Sequence, residues 1–208
     1  MATAKLMETR VFSEINVQDI CDQAEVAKGT FYIQFKTKED IIRALFEEFI
    51  AFEYNSMPYV DPETGAFRSM CLFVGWYERT FRINAGLMRS FVRLSDLDEE
   101  VAALWTQRNN MIVQRGISNY LLQTRFEKDR KKLALLAIRT VGGIMDYTLF
   151  ARHGIHQASD FTADFSDDEL IQFHSLLMYR CLYGEDPPKE DRSSMVEYFI
   201  DRAQPATA

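Results

Sequence analysis

The sequence predicts an all-α protein, with an N-terminal three-helix helix-turn-helix domain followed by a larger helical domain. Three observations carry this expectation. Glycine and proline are scarce, nine and five in 208 residues, which argues against a turn-rich β architecture. Apolar residues recur at helical spacing along most of the chain. Residues 16–38, NVQDICDQAEVAKGTFYIQFKTK, read as two short helices joined by a tight turn.

In that stretch Val17, Ile20, Cys21 and Ala24 fall at i, i+3, i+4 and i+7, one apolar helical face. Asn16 stands where an N-cap belongs, with Asp19 three residues on. After the turn Glu25-Val26-Ala27, Phe31 and Phe35 share one face and must point inward. The opposite face carries Gly29, Thr30, Ile33 and Lys36, flanked by Lys28, Tyr32 and Gln34. Folding alone gives little reason for it. Glycine costs roughly 1 kcal/mol against alanine inside a helix, and Ile33 is an apolar residue aimed at solvent. A closely approaching partner explains the glycine, and thymine methyl groups explain the isoleucine. Residues 26–38 hold Lys28, Lys36 and Lys38 and no acid, in a chain of net charge -7. Lys38 opens a fourth helix, whose free N–H groups also favour a phosphate. The expected DNA contacts are therefore Lys28, Gly29, Thr30, Tyr32, Ile33, Gln34, Lys36 and Lys38.

The run VAKGTFYIQFKTKED, residues 26–40, resembles the signature of the TetR family of bacterial transcriptional regulators. Members typically read Val-Ser-Lys-Gly-Thr-Leu-Tyr-x-x-Phe-x-Ser/Thr-Lys-Glu. The matching positions are Val26, Lys28, Gly29, Thr30, Tyr32, Phe35, Thr37, Lys38 and Glu39. The resemblance spans about residues 6–49. It implies an all-helical homodimer with an N-terminal DNA-binding domain and a C-terminal ligand-binding and dimerisation domain. It also implies an operator in double-stranded DNA and repression relieved by a small effector. Three positions depart from the pattern. Glu25 stands where a turn glycine is usual, Ala27 where a capping serine is usual, and Val11 where a glycine commonly ends the first helix. The family usually has more chain before this point, with cations that touch phosphate; here only Lys5 and Arg10 are available.

In order, residues 1–14 are expected to form a first helix, packing Leu6, Met7, Val11 and Phe12 on the helix-turn-helix. Thr37 caps the fourth helix, with Asp40 at its third position. Ile41, Ile42, Leu45, Phe46, Phe49, Ile50 and Phe52 make that helix apolar on more than one side, so burial on two faces and a role as mechanical link are expected. The domain boundary is placed at 48/49, giving 1–48 for DNA binding and 49–208 for ligand binding and dimerisation. Residues 55–65, with Pro58 and Pro62, break the pattern. Helices are expected over 66–83, 87–94, 97–125 (Ser95 and Asp98 capping), 131–153 and 166–184 (Ser166 and Glu169 as capping box). A final helix is expected to open at Asp186-Pro187. In the helix over 166–184, Leu170, Phe173, Leu177 and Cys181 form one apolar face, and Leu176, Tyr179 and Tyr183 a second apolar group. The helices over 131–153 and 166–184 carry more apolar surface than one core face needs and are expected to pair with their copies. The pair Gly142-Gly143 suggests close approach of a neighbouring helix or ligand.

Composition narrows the function classes. Residues 1–48 hold six Lys/Arg against nine Asp/Glu, so DNA affinity must come from local placement of cations. Cys21, Cys71 and Cys181 are scattered in apolar helical patterns and read as reduced core thiols of a cytoplasmic protein. The longest unbroken apolar run, residues 70–77, is too short to span a bilayer, and no signal peptide is visible, so no membrane is expected. No phosphate loop, nucleophile elbow or acid pair outside helix starts supports an enzyme. His153, His156 and Asp160 are too loosely spaced for a metal site, and no cofactor is expected. Asp146 and His174 lie in apolar helical surroundings, where hydrogen bonding between helices is the expected role. Between the helices over 66–83, 97–125 and 131–153, Phe73, Trp76, Trp105, Asn109, Asp146 and Tyr147 are the candidates to line a pocket for a small apolar or aromatic effector. The rival reading is a helical dimer that uses the helix-turn-helix for protein contact, without operator binding.

Overall fold

The computed structural model describes residues 2–59, 62–123, 128–155 and 162–203. They form ten α-helices and no strand. The helices are α1 Ala2–Met7, α2 Val17–Ala24, α3 Lys28–Gln34, α4 Lys38–Ser56, α5 Ala66–Ile83, α6 Ala85–Ser95, α7 Glu99–Gln123, α8 Lys128–Arg152, α9 Asp167–Tyr183 and α10 Ser194–Ala203. Two compact units emerge. One is Met1–Ser56 with Phe81–Met111; the other is Met57–Thr80 with Ile112–Ala208.

In the first unit the expected helix over 1–14 stops at Met7, and a short 3-10 turn, Phe12–Glu14, follows. Met7, Phe12 and Ile15 are all buried, and leaving the helix lets the three converge. The β-branched Thr9 and Val11 make the interruption cheap. Helix α6 begins at Ala85, earlier than expected, and packs its first turn on the end of α1. There Gly86 lies so close that a Cβ would come within 2.8 Å of the Met7 carbonyl carbon. Helix α4 buries one face, Ile42, Phe46, Phe49, Ile50 and Glu53, and leaves Phe52 and Tyr54 exposed, so the expected burial on two faces is not found. Phe46 stacks on Phe91 at 3.9 Å, and Phe91 meets Trp105 edge-on at 5.2 Å. Helix α7 is capped by Asp98, whose carboxylate accepts from the Glu100 and Val101 N–H groups. The expected partner Ser95 instead ends α6, donating to the Val92 carbonyl.

In the second unit α9 starts with the expected capping box. Ser166 Oγ accepts from the Glu169 N–H at 3.2 Å, and the Glu169 carboxylate accepts from the Ser166 N–H at 2.7 Å. Burial on α9 cuts across its two apolar groups. Leu170 of the first is buried with Leu176 and Tyr179 of the second, whereas Phe173 and Cys181 are exposed. Periodicity finds two apolar faces on such a helix but does not rank them. Cys181 is thus no core thiol, while burial pushes the Cys71 thiol up. The last helix starts at Ser194 rather than at Pro187. Residues 187–192 are held in a tight turn by Arg192 Nε donating to the Pro187 carbonyl, and Ser193 Oγ caps α10 through the Val196 N–H. Helix α8 is long and apolar enough, over Lys131–Arg152, to cross a membrane by length and composition, although polar residues interrupt its apolar runs. Ala134, Ile138, Val141, Met145 and Leu149 on it are buried, the stripe of a core helix. No atom lies within 4 Å of a Cβ built at Gly142 or Gly143, so nothing described presses on that pair.

Candidate nucleic-acid interface

The helix-turn-helix is held by local bonds that its sequence encodes. Asn16 Oδ1 accepts from the Asp19 N–H at 3.0 Å, and Asp19 Oδ2 accepts from the Asn16 N–H at 2.8 Å. The Asn16 N–H and the Arg10 guanidinium, 3.0 Å away, hold the Asp19 carboxyl below its ordinary value. Arg10 also donates to the Glu14 carbonyl. At the turn Glu25 takes φ 55°, the left-handed conformation for which a glycine is usual. The Val26 N–H then reaches the Cys21 carbonyl at 3.0 Å, closing α2. Ala27 starts α3 without a side-chain cap, as its lack of a hydroxyl requires.

Helix α3 anchors itself through Phe31, which is buried and packs on Phe35 and, edge-on at 5.3 Å, on Tyr32. Its other side faces solvent. Lys28, Gly29, Thr30, Tyr32, Ile33, Gln34 and, just beyond the helix, Lys36 are all exposed, with Ile33 at 80%. No atom lies within 4 Å of a Cβ built at Gly29, so no internal contact calls for that glycine.

Lys38 differs from the other two lysines. It is half-buried, and its Nζ donates to the carbonyls of Phe12 at 3.0 Å and Ile15 at 2.9 Å, while lying 4.4 Å from the Phe12 ring centre. It ties the start of α4 to the segment ahead of α2. The N–H groups of Lys36 and Thr37 are taken by the Asp40 carboxylate at 2.9 and 2.8 Å, with Thr37 Oγ1 accepting from the Asp40 N–H in return. The Thr37 N–H and Arg43 hold the Asp40 carboxyl below its ordinary value. Arg43 itself bridges Asp40, Asp98 and Glu100 at 2.8 to 3.0 Å. The Arg43 links to α7 join residues more than fifty positions apart, which no local pattern announces.

The six pocket candidates fall in different units. Trp105 and Asn109 belong to the first, where the Arg108 guanidinium lies 5.2 Å from the Trp105 ring and bonds the Asn109 side chain at 3.2 Å. Phe73, Trp76, Asp146 and Tyr147 belong to the second. Phe73 packs on Trp76 at 5.9 Å, Asp146 accepts from the Tyr77 hydroxyl, and Tyr147 is half-exposed. A cavity in the second unit is lined by none of the six. His174 bonds a buried carboxylate, Glu78, as expected of a histidine between helices. No cluster of metal-ligating side chains occurs among the described residues, and His156 and Asp160 lie outside them.

Residues 1–45 match the family model for bacterial regulatory proteins of the tetR family. That segment, the helix-turn-helix end of the chain, is what carries the likeness to the TetR family. No curated protein matches the sequence. Among solved structures, the TetR family transcriptional regulator PfmR from Thermus thermophilus is similar in fold, with a TM-score of 0.52. It is 17% identical, over 85% of this chain and 94% of that one. A DNA-binding transcriptional regulator is what the TetR match supports, with α2 and α3 as its helix-turn-helix.

Proposed function

We propose that the chain is a dimeric, sequence-specific repressor of the cytoplasm, released from its operator by a small apolar or aromatic effector. The observation that carries this is the outer face of α3. Its seven exposed residues include a glycine without a packing role and an isoleucine left in water, next to two open lysines. Gly29, Thr30 and Ile33 would meet the major groove, with Tyr32 and Gln34 at its edge and Lys28 and Lys36 on phosphates. Lys38, its ammonium already bonded to two carbonyls, contributes by positioning the helix-turn-helix. A functional boundary at 48/49 would leave α4 as the link between reading head and effector domain.

An exposed apolar stripe on α8 supports dimerisation. Leu133, Leu136, Ile144 and Tyr147 recur along one side, with Leu133 at 66% exposure, and Gly143 beside them leaves room for a second copy's backbone. A two-fold pairing would set two recognition helices about 34–36 Å apart, or a multiple, along the duplex. Effector and operator would oppose each other by one reciprocal coupling, typically about 1–3 kcal/mol.

Selection from a random duplex pool tests the reading. A palindromic site should emerge whose affinity falls steeply with salt. Ile33→Ala should change the preferred bases, and Leu136→Glu should give monomers that lose the site. The acidic balance of residues 1–48 favours one rival, a helix-turn-helix used for protein contact. Failure of any duplex to bind in a salt-dependent way, by a protein that is dimeric, would decide for that rival.

A further inference from the structure

The second unit contains a pocket of about 210 Å³ beside the start of α9 and α10. The surface it presents is entirely apolar. The residue names alone do not suggest this, because Thr162, Glu169 and His174 help to line it. Their polar atoms are committed to partners of their own. The Glu169 carboxylate accepts from the Ser166 N–H at 2.7 Å and from the Ser166 hydroxyl at 2.8 Å. Thr162 accepts from the Arg152 guanidinium, at 3.2 Å through its carbonyl and 3.5 Å through its hydroxyl. His174 Nδ1 lies 2.7 Å from Glu78 Oε1, and both residues are buried. What these three turn to the pocket is carbon, beside Leu170 and the rings of Phe165, Phe173 and Phe199.

Shape and surface together select a ligand. Phe173 and Phe199 meet edge-on at 5.4 Å, an arrangement that a third ring extends by contacts of the same kind. Leu170 is buried, whereas Phe165 and Phe173 are 42% and 43% exposed, so the pocket opens to solvent past those two rings. A ligand therefore enters without the helices parting. A closed apolar cavity of about 150 Å³ takes up benzene, and the larger space here suits one ring with a short alkyl chain. A hydroxyl, ammonium or carboxylate carried into it loses water and gains no partner. The pocket is concave and ring-sized, unlike the stripe along α8 that suits a second copy of the chain.

We propose that this pocket is a binding site for an uncharged monocyclic arene bearing a short alkyl chain. The ring lies against Phe173 and Phe199, and the chain against Leu170. The inference deepens the effector reading above, since it names the ligand class and a site that none of the six sequence candidates lines. Binding is measured without DNA, so that its failure and the failure of that reading are distinguishable.

Four probes sharing one ring test it by calorimetric titration of the full-length protein: ethylbenzene, 2-phenylethanol, 2-phenylethylamine and phenylacetate. Ethylbenzene should bind one per chain, about tenfold tighter than the alcohol, with both ions weaker still. Phe173→Ala, at an exposed position, and Phe199→Leu, which keeps an apolar side chain, should each weaken ethylbenzene several-fold. Either ion binding as tightly as ethylbenzene, no ethylbenzene binding, or an affinity unchanged in both variants would overturn the site. If ethylbenzene does not bind and Phe173→Glu splits a dimer in sedimentation, the surface belongs to a second copy instead. Ethylbenzene binding with the expected dependences, yet with unchanged operator affinity, would keep the site and defeat the effector reading.

Discussion

Two regions of the first unit treat their polar groups in opposite ways. On the outer face of α3, Lys28, Thr30, Gln34 and Lys36 stand in water. Where α4 meets α7, Glu53 and Arg108 are both about 1% exposed and joined by a two-pronged bond, 2.7 Å from Nε and 2.6 Å from Nη2. Asn109 and the Trp105 ring satisfy more of the same guanidinium. A closed, saturated pair serves the fold, because every group that water once solvated has a protein partner. On the reading proposed above, an open face on a helix whose other side is anchored serves a partner. Saturation, rather than charge, would then separate structural from functional ions, with Lys38 on the structural side.

The junction should give the largest effect. Arg108→Ala leaves the Glu53 carboxylate buried and uncompensated, and should cost about 3–5 kcal/mol in chemical denaturation. Replacing both partners by Glu53→Met with Arg108→Leu should cost far less. Equal losses for the single and the double variant would remove the distinction between a saturated pair and an open face. Gly86→Ala, which forces a methyl group against the Met7 backbone, should cost about 1–3 kcal/mol. On the open face the expectation is the reverse: Ile33→Ala should stay within about 0.5 kcal/mol of the parent in stability while operator preference changes. The smallest effect concerns pH. Asp19, Asp40 and Glu169 have carboxyls lowered below 3.8, 3.8 and 4.5 by helix-cap N–H groups and, for the two aspartates, by arginines. A lowered folded value gives stability that is present above the ordinary value and lost as pH falls through the lowered one. Unfolding midpoints should therefore begin to decline below about pH 4, and less so in Asp19→Asn, which has no carboxyl there to protonate.

What the sequence reveals divides along the same line. The turn at Glu25, the caps at Asn16, Thr37 and Ser166, and the split of α3 into Phe31 inside and Ile33 outside all depend on residues within four positions of each other. They were legible. The Glu53–Arg108 pair spans 55 positions and the His174–Glu78 pair 96, and no local period connects them. Which apolar residues of α9 are covered was hidden for a related reason, since Leu176 and Phe173 are equally apolar and only the surrounding helices decide. The early end of α1 lets Phe12 reach the core, which helical spacing alone does not announce, and the late start of α10 goes with the Arg192 bond to the Pro187 carbonyl, five positions back and outside any helical period.

The most direct measurement is the salt dependence of operator affinity in four proteins: the parent, Lys28→Ala, Lys36→Ala and Lys38→Ala. Each cation that meets a phosphate contributes about 0.9 to the slope of log affinity against log salt. The account predicts that Lys28→Ala and Lys36→Ala each lower the slope by about one with unfolding unchanged. It predicts that Lys38→Ala keeps the parental slope and loses stability, because its ammonium holds the Phe12 and Ile15 carbonyls. A slope lowered only in Lys38→Ala, with stability intact, would contradict the claim that the open face of α3 is what meets DNA.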